Sequence, residues 1–169
     1  MTLSEVNAMD REVFVAAFGG IFEESPWVAR RAWDSRPFAS SEALHRAMTR
    51  QVETAAHEEQ LALLRAHPDL GARARMSAAS TREQQGAGLD QLTPEEYAEL
   101  KARNRAYRDK FGFPFLFAVK GGSKSAIMEE LRRRASADAE IEFSEALAQV
   151  YRIAWFRLET AIRPEEDSR

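Results

Sequence analysis

Two short runs of this sequence contain the side chains best suited to acid–base chemistry. The first is Ala66-His67-Pro68-Asp69-Leu70-Gly71 and the second is Ser80-Thr81-Arg82-Glu83-Gln84. Because histidine gains and loses a proton near neutral pH, His67 is a candidate catalytic acid or base. Pro68 restricts the direction of the chain and Gly71 permits a turn, so the imidazole is predicted to stand on a rigid corner.

Both runs also have a structural interpretation. A cation near the end of a helix, such as protonated His67, stabilises the helix dipole. Ser80-x-x-Glu83 matches the capping box that closes the first turn of a helix. Gly86 and Gly88 follow closely, and because glycine is unfavourable inside a helix, they favour a site where small residues leave room for a ligand. The sequence leaves both interpretations open.

Helical patterns surround these runs and must position them. Residues 41–65 contain neither glycine nor proline, their apolar residues recur at helical spacing, and the helix should end near His67-Pro68. Thr93-Pro94-Glu95-Glu96 is a capping box that opens a helix reaching Tyr107 or Arg108. Further helices are predicted over residues 26–33, over residues 124–134 with Ser123 as cap, and over residues 142–162 with an apolar stripe.

Residues 111–122 do not follow helical spacing. The propensity of residues 115–119 alone favours a strand, but no other segment alternates cleanly, and an unpaired strand would leave its backbone groups unsatisfied. We therefore predict an all-α, single-domain bundle of several helices over residues 1–169, with one irregular extended segment at about 111–122. Residues 164–169 are predicted to be a frayed tail.

The composition excludes several classes of function. The 169 residues include 24 Lys and Arg against 27 Asp and Glu, a formal net charge of -3, so no overall positive field favours nucleic acid or anionic membranes. The absence of cysteine excludes disulfides and thiolate chemistry and suggests a reducing compartment. No histidine spacing typical of a zinc site occurs. With neither a secretory signal nor a membrane-length apolar run, a cytoplasmic protein is expected.

The arginines fall into two groups. The run Arg132-Arg133-Arg134 is expected to be a solvated helix end that complements the helix dipole. Arg157 differs because it lies beside Trp155, Phe156 and Leu158 in the apolar final helix. A partly buried arginine usually binds a carboxylate, which here would belong either to the protein itself or to a ligand.

Taken together, the motifs resemble those of the 2-oxo-4-hydroxy-4-carboxy-5-ureidoimidazoline (OHCU) decarboxylases of purine degradation. The resemblance rests on the two runs above, on Ala87-Gly88-Leu89, on Phe111-Gly112-Phe113-Pro114-Phe115 and on the early Phe22-Glu23-Glu24-Ser25-Pro26-Trp27. It implies an all-α homodimer that needs no cofactor or metal. It also implies a carboxy-lyase that forms (S)-allantoin in the third step of urate degradation, after urate oxidase and 5-hydroxyisourate hydrolase.

The resemblance also implies roles for individual residues. His67 would be the catalytic acid or proton shuttle, and Glu83 would favour its protonated form. Glu83 and Gln84 would also hold the hydroxyl and ureido groups of the substrate, and Arg157 would bind its departing carboxylate. The other implied binding residues are Pro68 and Ser80, which would line the pocket, and Phe115, Leu116, Phe117, Ala118 and Val119, whose main chain would bind the ring and ureido group.

Two other functions are compatible with the pattern. In the first, the protein is a non-enzymatic helical interaction module whose final helix docks a partner through Tyr151, Trp155 and Phe156. That reading leaves the His67 and Glu83 motifs without a use. In the second, the protein is a cofactor-free lyase or hydrolase that acts on another ureido compound. Only the identity of the substrate distinguishes this second alternative from OHCU decarboxylation.

Overall fold

Helices account for all the regular secondary structure in the computed structural model, which describes residues 1–72 and 77–163. Within these residues no strand forms, so the all-α prediction is confirmed. The helices are α1 (Leu3–Ala8), α2 (Arg11–Phe18), α3 (Trp27–Ala32), α4 (Ser41–Glu53), α5 (His57–Arg65), α6 (Ala78–Gly86), α7 (Pro94–Phe111), α8 (Lys124–Arg134) and α9 (Ala139–Ala161), with short 3-10 helices at Trp33–Ser35 and Leu89–Gln91. The tail predicted at residues 164–169 lies outside the described residues.

The predicted capping box at the start of α7 is confirmed. The Thr93 hydroxyl accepts a hydrogen bond from the Glu96 amide at 3.1 Å, and the Glu96 carboxylate accepts one from the Thr93 amide at 3.0 Å. The Lys124 ammonium of α8, and then the Thr93 amide, lower the pKa of Glu96 below its ordinary value. The helix extends beyond its predicted end to Phe111 and stops at Gly112, whose φ of +81° suits glycine.

The single helix predicted over residues 41–65 is wrong, because the chain breaks after Glu53. The Thr54 amide and hydroxyl both donate to the Arg50 carbonyl, at 3.0 and 2.8 Å, and the next amide, of Ala55, turns to the Val52 carbonyl at 3.1 Å, which ends the regular pattern. A new helix then begins at His57, where the Glu59 carboxylate accepts a hydrogen bond from the Ala56 amide at 3.3 Å. The predicted end near His67-Pro68 is confirmed, since α5 ends at Arg65.

The described residues fall into two compact units. The first comprises residues 1–63 and 151–163, and in it α3 packs against α4 and α2 against α3. Its core contains the rings of Phe14, Phe18 and Phe38, with ring centroids 4.9 Å apart for Phe14–Phe18 and 6.0 Å for Phe14–Phe38. The single-domain organisation expected from the sequence stays a prediction.

The second unit comprises residues 64–150, and in it α7 packs against α8. Its aromatic core is built around Tyr107, whose ring lies 4.6 Å from Phe111, 6.1 Å from Phe113 and 5.5 Å from Phe115. The chain from Gly112 to Gly122 is irregular rather than a strand, as predicted, although Phe111 itself belongs to α7.

Helix α9 begins three residues before its predicted start, since the Glu142 amide already donates to the Asp138 carbonyl at 2.9 Å. Its apolar stripe is buried at Leu147, Val150, Ala154 and Leu158, as expected of a core helix. None of the helices in the described part of the chain is long and apolar enough to cross a membrane.

Candidate functional site

His67 lies just beyond the C-terminal end of α5 and is buried, with 5% of its surface exposed. Its amide donates to the Leu64 carbonyl at 3.3 Å, which continues the last helical turn into the corner. The Ala72 amide donates to the Asp69 carbonyl at 3.1 Å and closes the turn that follows. A solvated histidine that serves only to complement a helix dipole would not need this degree of burial.

Gly71 is required at this corner for two reasons. Its φ of +73° lies in the left-handed region, which glycine adopts without a steric penalty. A Cβ atom at this position would lie 2.5 Å from Leu100 Cδ2, closer than carbon atoms can approach without displacement. The corner can therefore pack this tightly against α7 only with glycine.

Side chains from α6 and α7 hold the corner in the second unit. The Gly71 amide donates to Gln84 Oε1 at 2.8 Å, and Asn104 Nδ2 donates to the Leu70 carbonyl at 2.8 Å. At the exposed edge, Arg108 forms an ion pair with Asp69 at 2.8 Å. A direct hydrogen bond thus joins the run that contains Gln84 to the run that contains His67.

The capping-box interpretation of Ser80 and Glu83 is wrong. Helix α6 starts three residues earlier than that interpretation requires. The Ser77 hydroxyl accepts a hydrogen bond from the Ser80 amide at 3.1 Å and caps the helix. Ser80 and Gln84, one helical turn apart, are both buried, and Glu83 is partly exposed. With the capping role taken by Ser77, the Glu83 carboxylate is not needed at the helix start.

The backbone also requires a glycine at position 88. It stands outside α6, at a φ of +77°, where the chain turns into the short 3-10 helix. Gly86 is the last residue of α6, and a Cβ there would meet no atom within 4 Å. Of the two glycines singled out in the sequence, only Gly88 is demanded by the backbone conformation.

The segment Phe115, Leu116, Phe117, Ala118 and Val119 has a fixed main chain. The Ala118 amide donates to Gln149 Oε1 of α9 at 2.9 Å, and the Leu116 carbonyl accepts a hydrogen bond from the Arg134 guanidinium of α8. The Val119 carbonyl accepts a hydrogen bond from the Gly122 amide at 2.8 Å. Phe115 is fully buried, so its side chain belongs to the core. Any part that this residue plays in binding must involve its main chain.

Arg134 corrects the expectation that the whole arginine run is solvated. Its side chain is 1% exposed and forms an ion pair with Glu142, which is equally buried. The Tyr107 hydroxyl donates to the same carboxylate oxygen, and burial, followed by that hydrogen bond, raises the pKa of Tyr107 above its ordinary value. Arg132 and Arg133 are exposed, as expected.

The sequence did contain a signal for Arg134. Ile127, Leu131 and Arg134 follow one another at spacings of four and three, which places them on the same helical face, and all three are buried. A charged residue that continues an apolar stripe needs a partner. Asn104 carried the same kind of signal, since Leu100, Asn104 and Tyr107 follow one another on one buried face of α7 at spacings of four and three. The partners of Asn104 and Gln149 could not be read from the sequence, because they lie about 30 residues away.

Arg157 lies in the first unit and holds a carboxylate of the protein itself. Its guanidinium pairs with Glu23 at 2.9 Å and also donates to the carbonyls of Gly20 at 3.2 Å and Ile21 at 3.4 Å. Both charged side chains are buried. The remaining predicted site residues, from His67 to Val119, lie in the second unit.

A cavity of about 200 Å³ borders the corner in the second unit. The residues that line it come from the corner and from α7: Asp69, Leu70, Gly71, Ala72, Tyr97, Leu100, Lys101 and Asn104. Within residues 1–72 and 77–163, no group of three or more His, Cys, Asp or Glu side chains could hold a metal ion together.

Comparison with known proteins finds relatives along almost the whole chain. The family model described as OHCU decarboxylase matches residues 7–159. The 2-oxo-4-hydroxy-4-carboxy-5-ureidoimidazoline decarboxylase of Haloferax volcanii is 49% identical over 158 residues, which cover 94% of this chain and 94% of that protein. The uric acid degradation bifunctional protein PucL of Bacillus subtilis is 46% identical over 93% of this chain, which spans 32% of that larger protein. The crystal structure of (S)-allantoin synthase is similar, with a TM-score of 0.78 at 31% identity over 96% of this chain and 54% of that one.

Proposed function

Because the chain belongs to the OHCU decarboxylase family, we propose that it catalyses the stereoselective decarboxylation of OHCU to (S)-allantoin. The observation that carries this proposal is the 49% identity to the Haloferax volcanii decarboxylase, which extends over 94% of both chains. The bifunctional relative from Bacillus subtilis, named for uric acid degradation, supports the same pathway. The substrate would then come from urate through urate oxidase and 5-hydroxyisourate hydrolase.

The reaction needs little from the protein beyond positioning and proton transfer. In OHCU the carbon that bears the carboxylate is bonded to an imine carbon. When the bond to CO2 breaks, its electron pair forms a carbon–carbon double bond, and the imine π electrons move to nitrogen, which takes up a proton. The resulting enol is then protonated on the ureido-bearing carbon, and its hydroxyl becomes the carbonyl of allantoin. The substrate is thus its own electron sink, and we propose that no cofactor or metal takes part.

The chemistry assigns a role to each candidate side chain. His67 would donate the proton to one face of the enol, which sets the handedness of the product, and Glu83 would support its protonated form. Gln84 already accepts the Gly71 amide through Oε1, so its Nε2 would donate to the substrate. Pro68 and Ser80 would line the pocket, and the fixed main chain of residues 115–119 would bind the ring.

Arg157 would bind the carboxylate that leaves as CO2. For Arg157→Met we expect a higher KM for the substrate. An unchanged KM would remove Arg157 from the proposed site.

The activity is tested by generating OHCU from urate with the two preceding enzymes and following its ultraviolet decay and the circular dichroism of allantoin. We expect accelerated decay and a single enantiomer. Racemic allantoin formed at the uncatalysed rate would refute the proposed function and leave the two alternatives, an interaction module or an enzyme for another ureido compound.

The site is tested by His67→Asn, with His57→Asn as its matched control, because His57 is an exposed histidine at the start of α5, the helix that ends just before His67. His67→Asn should abolish the rate enhancement in a folded protein, and His57→Asn should not. Glu83→Gln should also impair turnover, whereas the exposed Glu129→Gln should not. Normal turnover in either site variant would exclude that residue from the mechanism.

We further propose that the chain works as a single-domain homodimer in the cytoplasm. Light scattering coupled to size-exclusion chromatography tests the dimer, and a monomeric mass for the active protein would exclude it. Cell fractionation of the source organism tests the location.

A further inference from the structure

The Leu70–Gly71 peptide group, three residues beyond His67, is held on both of its edges by buried side-chain amides. Its carbonyl oxygen accepts a hydrogen bond from Asn104 Nδ2 of α7, and its N–H donates to Gln84 Oε1 of α6, each at 2.8 Å. The carbonyl and the N–H belong to one planar group, so two bonds from opposite edges fix the orientation of that plane. Both bonds are buried and therefore shielded from exchange with water.

From this geometry we infer that Asn104 is a positioning residue that orients His67 through the Leu70–Gly71 peptide. The inference rests on the proposed function, in which His67 transfers the proton. Few backbone rotations separate the peptide from His67, because the ring of Pro68 fixes one dihedral angle and the bond from the Ala72 amide to the Asp69 carbonyl closes the turn. A change in the plane of the peptide is therefore transmitted to the imidazole.

The presence of an asparagine at position 104 is not explained by a gain in folding stability. Its side chain is 97% buried, and its Oδ1 is a buried oxygen without a hydrogen-bond partner in the part of the chain that the structure describes. The favourable bond to Leu70 is thus accompanied by the desolvation of an unsatisfied acceptor. A leucine of similar size would avoid that penalty but would also deprive the Leu70 carbonyl of its donor, so the two effects on stability oppose each other. It would leave the peptide plane held on one edge only. The contribution specific to asparagine is the orientation of the corner.

The test compares Asn104→Leu with Arg105→Leu, which changes the adjacent, exposed residue of α7. Asn104→Leu should keep a urea midpoint close to that of the wild type. Its kcat should fall about 10- to 100-fold, the loss typical of a misplaced catalytic group, with KM changed less than threefold. With enzyme in excess over substrate, the enantiomeric excess of allantoin should also fall. Arg105→Leu should match the wild type in all of these measurements.

A folded Asn104→Leu variant with kcat within twofold of the wild type would overturn the inference. If this variant does not fold, Asn104→Ala, which also lacks the Nδ2 donor, takes its place with the same readouts and the same limits. Hydrogen exchange in the wild-type protein tests the other bond of the peptide, from the Gly71 amide to Gln84. The Gly71 amide should then exchange much more slowly than the amide of Gly121, an exposed glycine with a similar positive φ. Equally fast exchange would overturn the inference.

Failure of the proposed function gives a different result. Wild-type protein that produced only racemic allantoin would refute the activity. The exchange rate of the Gly71 amide would still report whether Gln84 holds the N–H of the peptide, since that measurement does not depend on the substrate.

Discussion

Replacing Arg134 with methionine should destabilise the protein far more than the same change at its neighbour Arg133. In the second unit, Arg134 donates through two nitrogen atoms to Glu142 Oε1, from Nε at 2.8 Å and from Nη2, and it also donates to the Leu116 carbonyl. Each charge-assisted hydrogen bond contributes about 1.5–3 kcal/mol, and an unsatisfied buried carbonyl costs about 1–3 kcal/mol. The substitution also removes the desolvation penalty of the buried guanidinium, which offsets part of this sum. The expected loss of unfolding free energy is therefore about 3–5 kcal/mol.

Arg133 supplies the control because it belongs to the same run and pairs with Glu130 at the surface. Arg133→Met should cost less than about 1 kcal/mol, as exposed pairs do. The double variant Arg134→Met/Glu142→Leu should be more stable than Arg134→Met, because it removes both charges.

Urea unfolding followed by two signals measures these free energies. Far-UV circular dichroism reports on helices throughout the chain, whereas Trp27, Trp33 and Trp155 all belong to the first unit. Coincident transitions would support the proposed single domain, and separate transitions would contradict it. The argument about Arg134 would be refuted if Arg134→Met lost no more stability than Arg133→Met.

Three further predictions concern other buried features. Gly71→Ala should cost about 2–4 kcal/mol of unfolding free energy in urea, because of the positive φ and the overpacking against α7. Gly121→Ala should cost only about 1 kcal/mol, because Gly121 has a similar φ but open space around it. Equal losses would contradict the packing argument. Because burial and then Glu142 raise the pKa of Tyr107, its neutral form contributes stability that is present below pH 10 and lost above it. Between pH 10 and 11 the wild type should therefore lose about 1 kcal/mol of unfolding free energy, measured with urea, that Tyr107→Phe does not lose, and parallel curves would refute this. Glu23→Gln should lower the unfolding free energy, measured by tryptophan fluorescence, by about 3 kcal/mol, because the buried Arg157 loses its carboxylate. A loss below about 1 kcal/mol, as for a surface ion pair, would contradict this prediction.

Features that depend on near neighbours in the chain were accessible from the sequence. The Thr93 and Ser123 caps, the end of α5 before Pro68 and the turn at Gly71 all act within a few residues, where local sterics and hydrogen bonding decide the backbone conformation. The break after Glu53 was missed although it is local. Threonine and alanine are compatible with a helix, and the turn of the Ala55 amide to the Val52 carbonyl is not apparent from residue type.

The candidate site likewise contains features that the sequence could predict and features that it could not. The sequence by itself determined that His67 stands on a stiff corner and that an arginine within the apolar final helix needs a carboxylate. Only the tertiary structure decided that the carboxylate is Glu23, that Ser77 rather than Ser80 caps α6, and that Arg134 is buried. The reason is that a buried charge or peptide takes its partner from whatever element folding brings against it. For Arg157 that partner lies more than 130 residues away in the chain, a distance over which residue spacing carries no information.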